Sequence, residues 1–360
     1  MDPATPASSP PLRPPESTPT VTVIVVNWNR RELLRAALGS LAAQSWRDFE
    51  VIVVDNGSTD GSPSLVDEMR ATFPVPLRLI RNAENRGFCA ANNQGIDAST
   101  SRFLALLNND AEADPGWLAG MLDVMQSDDA VGMIASKILV HEDPARIDKV
   151  GHLIYLDGQN RGRGTGQLDR GQFDRIDETL WPDGCAALYR RAMLEEIGSF
   201  DEDFFAYADD AELGLRGRIA GWMCLYAPGA VVRHHRGATL GLSSGRRLTL
   251  IERNRVLLAV KLFPWNLLWL NGAYFLARLA AGLVAALRDR GEVRHYPGLR
   301  GKLTAAMALL WGTVTALPWI PRMLRKRREF RKRHRLTPPQ IRRLLLRHRI
   351  TLRELSQQST

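Results

Sequence analysis

From Val21 onward the chain repeats one pattern: an apolar, β-branched run ending in polar residues, then a stretch with helical periodicity. VTVIVVNWN is the first run, and Leu33, Leu34, Ala37, Leu38 and Leu41 then mark one side of a helix over 31–44. EVIVVDNGSTDGS predicts a second buried strand, a Gly/Ser/Asp turn and a helix near 62–72. LRLIRN, GFCAANNQGIDAS and RFLALLNND continue the alternation as strand, helix and strand. Buried strands alternating with helices predict an α/β fold whose central sheet is mainly parallel and covered on both faces. Ligands gather beyond the carboxyl ends of such strands. The polar residues sit at those ends: Asn27 and Asn29, Asp55 and Asn56, Asn82 and Asn85, then Asn108, Asn109 and Asp110. Four strand ends meeting on one edge predict a nucleotide-type site.

A helix over 117–126 follows, then a less regular stretch to Trp181, a helix over 211–219 and a short strand, AVVRHH. The character changes after Glu252. Residues 262–287 are apolar except for Asn266, Asn271 and Arg278, and 303–320 carry no charge. Eighteen helical residues reach about 27 Å, short of a hydrocarbon core about 30 Å thick. If both segments spanned, five Lys or Arg between 288 and 302 would face outward, against the positive-inside rule. Residues 251–320 therefore read as apolar and amphipathic helices lying in, or re-entering, one leaflet. A soluble helical subdomain is the competing reading.

The formal charge of +9 is unevenly spread. Residues 321–350 hold thirteen Lys or Arg and one acid, Glu329, a local +12 that leaves −3 for the remainder. A basic tail, 321–360, directly after apolar helices suits anionic lipid. Phe330 is nearly alone there as a stacking aromatic, which counts against a basic nucleic-acid-binding protein. Cys89, Cys185 and Cys224 show no CxxC spacing, suggesting neither zinc nor a disulfide framework and fitting a reducing compartment. Residues 1–20 contain seven prolines and no apolar run, which predicts a disordered leader and not a secretory signal. Without GxGxxG after the first strand or GxxxxGK[ST] anywhere, dinucleotide and P-loop readings lose their phosphate cradle. A nucleotidyltransferase would need a basic phosphate loop near the chain start, and NWNRREL is a poor one.

Residue types alone leave the chemistry open at three places. Acids from Asp110 to Asp114 either hold a cation or cap the helix near Trp117, and Asp114, just before Pro115, fits a cap. Asp55 is either a ligand or a turn carboxylate bonded to its own backbone. Asp209 and Asp210 are either a base pair or helix first-turn acids, with Glu212 and Arg216 as an i,i+4 surface pair.

VTVIVVNWNR, VIVVDNGSTDGS, NAENRGFCAANNQGI, LALLNNDAEAD, GCAALYRRAMLEEIGSFDEDFFAYADDAELGLRGRIAGW and VVRHHRGAT, in that order, resemble the inverting glycosyltransferases of family two. The nearest look like bacterial rhamnosyltransferase-type enzymes of cell-wall and surface-polysaccharide assembly. The resemblance implies a GT-A catalytic domain over 21–250. It implies that Asp110 holds Mg2+ or Mn2+ on the donor diphosphate, with Asn108 where many relatives have a first Asp. It implies donor contacts from Asp55 and nearby Asn29, and from Asn85, Gly87 and Asn93. Asp210 takes the place of the general base and Asp209 stands where Glu is common. His234 and His235 match the His that completes the metal site, and only one of two adjacent strand residues can face it. The implied activity moves a sugar, rhamnose, from a nucleoside diphosphate to a lipid-linked or polysaccharide acceptor on the cytoplasmic face of a bacterial inner membrane.

Overall fold

The computed structural model describes residues 18–236, 245–287, 298–352 and 354. The expected leader up to residue 17 and the Gly237–Thr239 part of the HHRGAT piece lie outside the described residues, as do 288–297 of the basic loop. The predicted alternation begins with β1 (Val21–Asn27), α1 (Arg31–Ala42), β2 (Phe49–Asp55), α2 (Ser62–Arg70), β3 (Leu77–Arg81), α3 (Gly87–Asp97) and β4 (Phe103–Leu107). β5 (Ala111–Ala113) and α4 (Trp117–Met125) follow. The stretch expected to be irregular instead forms β6 (Val131–Val140), β7 (Asp143–Lys149), β8 (His152–Ile154), β9 (Asn160–Gly162) and β10 (Asp177–Glu178). Then come β11 (Ala186–Arg190), α5 (Arg191–Ile197), α6 (Asp209–Ile219) and β12 (Met223–His234). β12 is longer than AVVRHH alone suggests, because its pairing with β6 resumes after a register shift between Ala227 and Val231. Pro228 and Gly229 fall in that shift, where proline's missing N–H does no harm.

The ten-stranded sheet runs β10-β12-β6-β11-β4-β1-β2-β3, with β5 on β12 and β7 on β6, while β8 and β9 form a separate ladder. β1 is parallel to β2 and β4, whereas β11 enters antiparallel between β4 and β6. Strand alternation sorts the core into two halves. Val23, Val25, Val51, Val53 and Ala105 pack with Leu34, Leu38, Leu65 and Trp117 on one face. Ile24, Ile52, Val54, Leu104 and Leu106 pack with Cys89, Leu194, Leu213 and Leu215 on the other.

The remaining helices are α7 (Gly245–Leu262), α8 (Trp265–Leu287), α9 (Gly298–Ala316), α10 (Ile320–Phe330) and α11 (Pro338–Arg347). The boundary expected at residue 250 falls inside α7. Leu257, Leu258, Leu262 and Phe263 join the same core half as Trp181 and Phe204, so α7 is built into the domain. Arg278, the one charge of α8, is bonded to Asp157 and Glu252, both fully buried. Arg255 Nε meets the same Glu252 at 2.6 Å. A buried charge must be paired, and this pairing fastens the inner face of α8 to the sheet domain. Part of the basic tail is likewise engaged internally: Arg322 and Lys326 bind Asp203, and Lys326 also binds Asp201.

Candidate active site

Backbone hydrogen bonding ends at the strand tips, so side chains there bond to one another. Asn27 Nδ2 donates to Asp55 Oδ1 at 3.2 Å, and Asn109 Nδ2 donates to Asn27 Oδ1 at 2.7 Å. Three strand ends are thereby tied by residues that include Asn27 and Asn109, neither of which the family pieces single out. Asp55 Oδ2 accepts from the Ser58 N–H at 2.9 Å, the turn-carboxylate arrangement. Each carboxylate oxygen accepts more than one hydrogen bond, so this leaves capacity for a ligand. Asn29 has φ 51° and its Oδ1 accepts from the Thr59 N–H at 2.7 Å, stiffening the same turn. Asn56 is a hub: its amide reaches Asn85 Oδ1 (3.0 Å) and the Gly87 carbonyl (3.2 Å) and accepts from Asn82 and Arg86. Asn93 is different. Its amide is taken up by the Phe200 backbone and Glu202, which ties α3 to the loop before α6. Helical spacing puts it on another side of α3 from the turn at Gly87.

Asp110 follows β4 at the edge where β5 pairs with β12. Asp110 is 5 % exposed, and among the described residues its Oδ1 accepts no hydrogen bond of good geometry but forms an ion pair with His234 Nε2 at 3.4 Å. His234 Nδ1 bonds Asp148 Oδ2 at 2.8 Å, and Asp148 is fully buried. Burial opposes charge on His234, but Asp110 and Asp148 outweigh it and push the imidazole up to about 9. Burial likewise opposes charge on Asp148, and Lys149, His234 and Arg236 overcome it and hold that carboxyl below its ordinary range. His235 points to the opposite side, as strand alternation requires. There it stacks on His141 with ring centroids 3.5 Å apart, and its Nε2 lies 3.4 Å from Glu112. Of the two imidazoles, that of His234 faces the Asp110 carboxylate, while His235 meets Asp110 only through its backbone N–H, 2.9 Å from the Asp110 carbonyl. Asn108 bonds through its backbone to the Cys185 carbonyl at 2.8 Å, joining β4 to β11. Asp114 does not cap α4. Its side chain pairs with Arg233 at 2.6 Å, and α4 has no side-chain cap.

The acid pair opens α6. Asp210 Oδ2 lies 3.4 Å from the Gly184 N–H and 3.5 Å from His152 Nε2. His152 also meets Asp183 at 2.9 Å, and Asp183 takes Lys149 Nζ at 2.6 Å. Burial pushes both Asp209 and Asp210 above the ordinary carboxylate range. Asp209 gets further upward push from its neighbour, whereas on Asp210 the pull of His152 and Lys149 works against burial and Asp183. Glu212 and Arg216 are a buried pair, not a surface one. Glu212 also meets Lys261 of α7 at 2.6 Å. The two carboxylate groups are contiguous: Asp148 serves His234 while the next residue, Lys149, serves Asp183. Asp148, Lys149 and His152 sit in the region that showed no regular pattern and Asp183 just beyond it, and periodicity offers no signal for them.

A buried carboxylate facing an imidazole that a second buried carboxylate orients is a donor set suited to a hard divalent cation. Residues 22–198 match the family described as Glycosyl transferase family 2. The chain is 26 % identical over 245 residues to an N-acetylglucosaminyl-diphospho-decaprenol L-rhamnosyltransferase of Mycobacterium tuberculosis, covering 62 % of this chain and 78 % of that one. It is 30 % identical over 237 residues to the O-antigen biosynthesis protein RfbC of Myxococcus xanthus, covering 63 % of this chain and 18 % of that one. Among solved structures, a mannosyltransferase of Pyrobaculum calidifontis in complex with GDP-Man and Mn2+ superposes with TM-score 0.53 at 21 % identity, over 84 % of this chain and 88 % of that one. The structural likeness shows the GT-A fold, here with a mostly parallel central sheet. The chain carries a glycosyl transferase family 2 domain on a GT-A fold, and the protein is a glycosyltransferase.

Proposed function

We propose that this protein is a metal-dependent inverting glycosyltransferase, moving rhamnose from a nucleoside diphosphate to a lipid-linked or polysaccharide acceptor. The observation that carries the cation reading is the buried Asp110 Oδ1, which among the described residues accepts no hydrogen bond of good geometry and faces His234 at 3.4 Å. Asp110 and His234, oriented by Asp148, would hold Mg2+ or Mn2+ there. The cation would offset negative charge on the departing diphosphate. Binding would require His234 to give up its proton, because metal ligands bind deprotonated. The strand-end network of Asn27, Asn29, Asp55 and Asn56 would receive the nucleoside. Asp210 takes the proton of the acceptor hydroxyl as its oxygen bonds the anomeric carbon from the face opposite the leaving group. The bond from that carbon to the diphosphate oxygen breaks, and the nucleoside diphosphate leaves with the electron pair. Rhamnose and the lipid-linked acceptor are supported by the mycobacterial relative's name.

The test is transfer from a panel of nucleotide-sugars to a polyprenyl-diphosphate sugar, with Mn2+ and with chelator. Product of inverted anomeric configuration by NMR, only when the cation is present, is the expected result. Retained configuration, or equal turnover in chelator, would sink the corresponding half of the reading.

Membrane docking is part of the same proposal. α8 and α9 expose Trp269 (84 %), Met307 (70 %), Leu310 and Trp311, an apolar surface that water does not favour. Residues 300–333 are long and apolar enough to cross a membrane by length and composition. The Arg278 pairing supports a flat arrangement, since it holds α8 against the domain. Exposed Arg325, Arg328, Arg331, Lys332 and Arg333 continue that end of the chain, and each contributes about 1 kcal/mol near an anionic leaflet. Joint Trp269→Asp and Trp311→Asp substitution is expected to abolish flotation with anionic vesicles while sugar transfer to a soluble acceptor persists. Unchanged flotation of the double variant would refute docking through this face.

A further inference from the structure

We infer that Asn254 is a positioning residue for the base carboxylate: from α7 it holds the left-handed loop that delivers Asp209 and Asp210. The inference rests on the reading of Asp210 as the base. Phe205, Tyr207 and Ala208 have φ of 62°, 69° and 55°, a region that residues with a Cβ adopt only when their surroundings enforce it. Ala208 is the residue immediately before α6, so its conformation sets where the helix, and both acids, begin.

The enforcement is visible. The loop turns three carbonyls towards α7, and Asn254 Nδ2 shares its two N–H groups among those of Phe204, Ala206 and Tyr207, at 2.8, 2.9 and 2.7 Å. Asn254 is fully buried, and its Oδ1 accepts from Arg253 Nε at 2.9 Å, which fixes which end of the amide faces the loop. Arg253 adds bonds to the Asp203 and Phe204 carbonyls at 3.0 and 3.2 Å. The Phe205 carbonyl turns the other way and accepts from the Phe88 and Cys89 N–H groups at 2.8 and 3.2 Å. Gly87 makes that approach possible, since a Cβ there would lie 2.4 Å from the Phe205 ring. The loop is therefore pinned between the first turn of α3 and the middle of α7.

No other side chain of that size fits the task. Leucine would remove the amide donor from all three carbonyls, of which that of Phe204 keeps Arg253 and the Ala206 N–H, and aspartate would set oxygen against oxygen. Once released, the loop relaxes towards right-handed φ. The start of α6 then shifts, and Asp210 leaves Gly184 and His152. Asn254 touches neither reacting group, so it acts through the loop alone. It also lies beyond the residues matched by the family description, which end at 198.

The experiment uses the full chain. Asn254→Leu is expected to lower kcat by about 10²-fold, the scale of an ångström-sized misplacement, with the nucleoside diphosphate dissociation constant unchanged. Adding Ala208→Gly, which removes the cost of left-handed φ at the helix start, should restore part of kcat. Where Asn254→Leu does not fold, Asn254→Ser keeps one donor and reads the same split. A wild-type kcat per folded molecule would overturn the inference, and so would an equal loss of nucleotide affinity or no rescue by Ala208→Gly. An active Asp210→Asn enzyme would instead sink the base reading, with Asn254→Leu left to report on the loop.

Discussion

Asp210→Asn is expected to bind the nucleotide-sugar normally and to lose transfer by ~10²–10⁴-fold, the usual scale of general-base catalysis. The substitution keeps shape and the contact with the Gly184 N–H while removing the proton-accepting oxygen. Asp209→Asn separates the pair. Asp209 is buried and its carboxyl is held well above the ordinary value of 3.8, first by burial and then by Asp210. A carboxyl whose proton is favoured by folding stabilises the fold below its unfolded value and loses that contribution as pH rises through its folded value. Asp209→Asn should therefore raise Tm above pH 7, with the gain shrinking as pH falls towards 4, and should reduce transfer only mildly. Turnover, donor affinity and thermal melts of both variants are the measurements. Normal turnover by Asp210→Asn beside a dead Asp209→Asn would move the base one residue back.

Asp110→Asn is expected to abolish the tightening of nucleoside diphosphate binding by Mn2+, a loss of at least about tenfold, or about 1.4 kcal/mol. The asparagine retains volume at a site only 5 % exposed and leaves the His234–Asp148 bond at 2.8 Å in place, so folding should persist. What disappears is the charge that a hard cation takes from a carboxylate. Calorimetry with and without Mn2+ reads the difference directly. Equal metal dependence in wild type and variant would return Asp110 to a structural role, and the cation would have to be sought elsewhere. His235→Ala tests the neighbouring cluster, since that ring, Glu112 and His141 could themselves hold a cation.

Much of the architecture was legible in the chain because it depends on local periodicity. Val23, Val25, Val51 and Val53 on one face and Ile24, Ile52 and Val54 on the other follow from the alternation of strands that are buried throughout. The polar strand ends, Asp110 and the acid pair were also legible, since a polar residue just after an apolar run stands out by itself. Local pattern misled where charge was read as surface. Glu212 and Arg216 have the spacing of an exposed helix pair, yet they are buried with Lys261 from a distant helix. Asp114 has the position of a cap, yet Arg233 claims it.

The sequence by itself determined an α/β sheet with a polar edge, and a family resemblance that named its chemistry. Only the tertiary structure decided which of two adjacent imidazoles faces the Asp110 carboxylate, since alternation says that they diverge and not which way. It alone brought Asp148 to His234 across 86 residues, and His152 and Asp183 to Asp210. It alone set Asn254 under a loop that lies 47 residues away at Tyr207. Those partners are selected by the crossing of non-consecutive strands and by the packing of α7 into the core. Such long-range pairings leave no periodic trace in the chain.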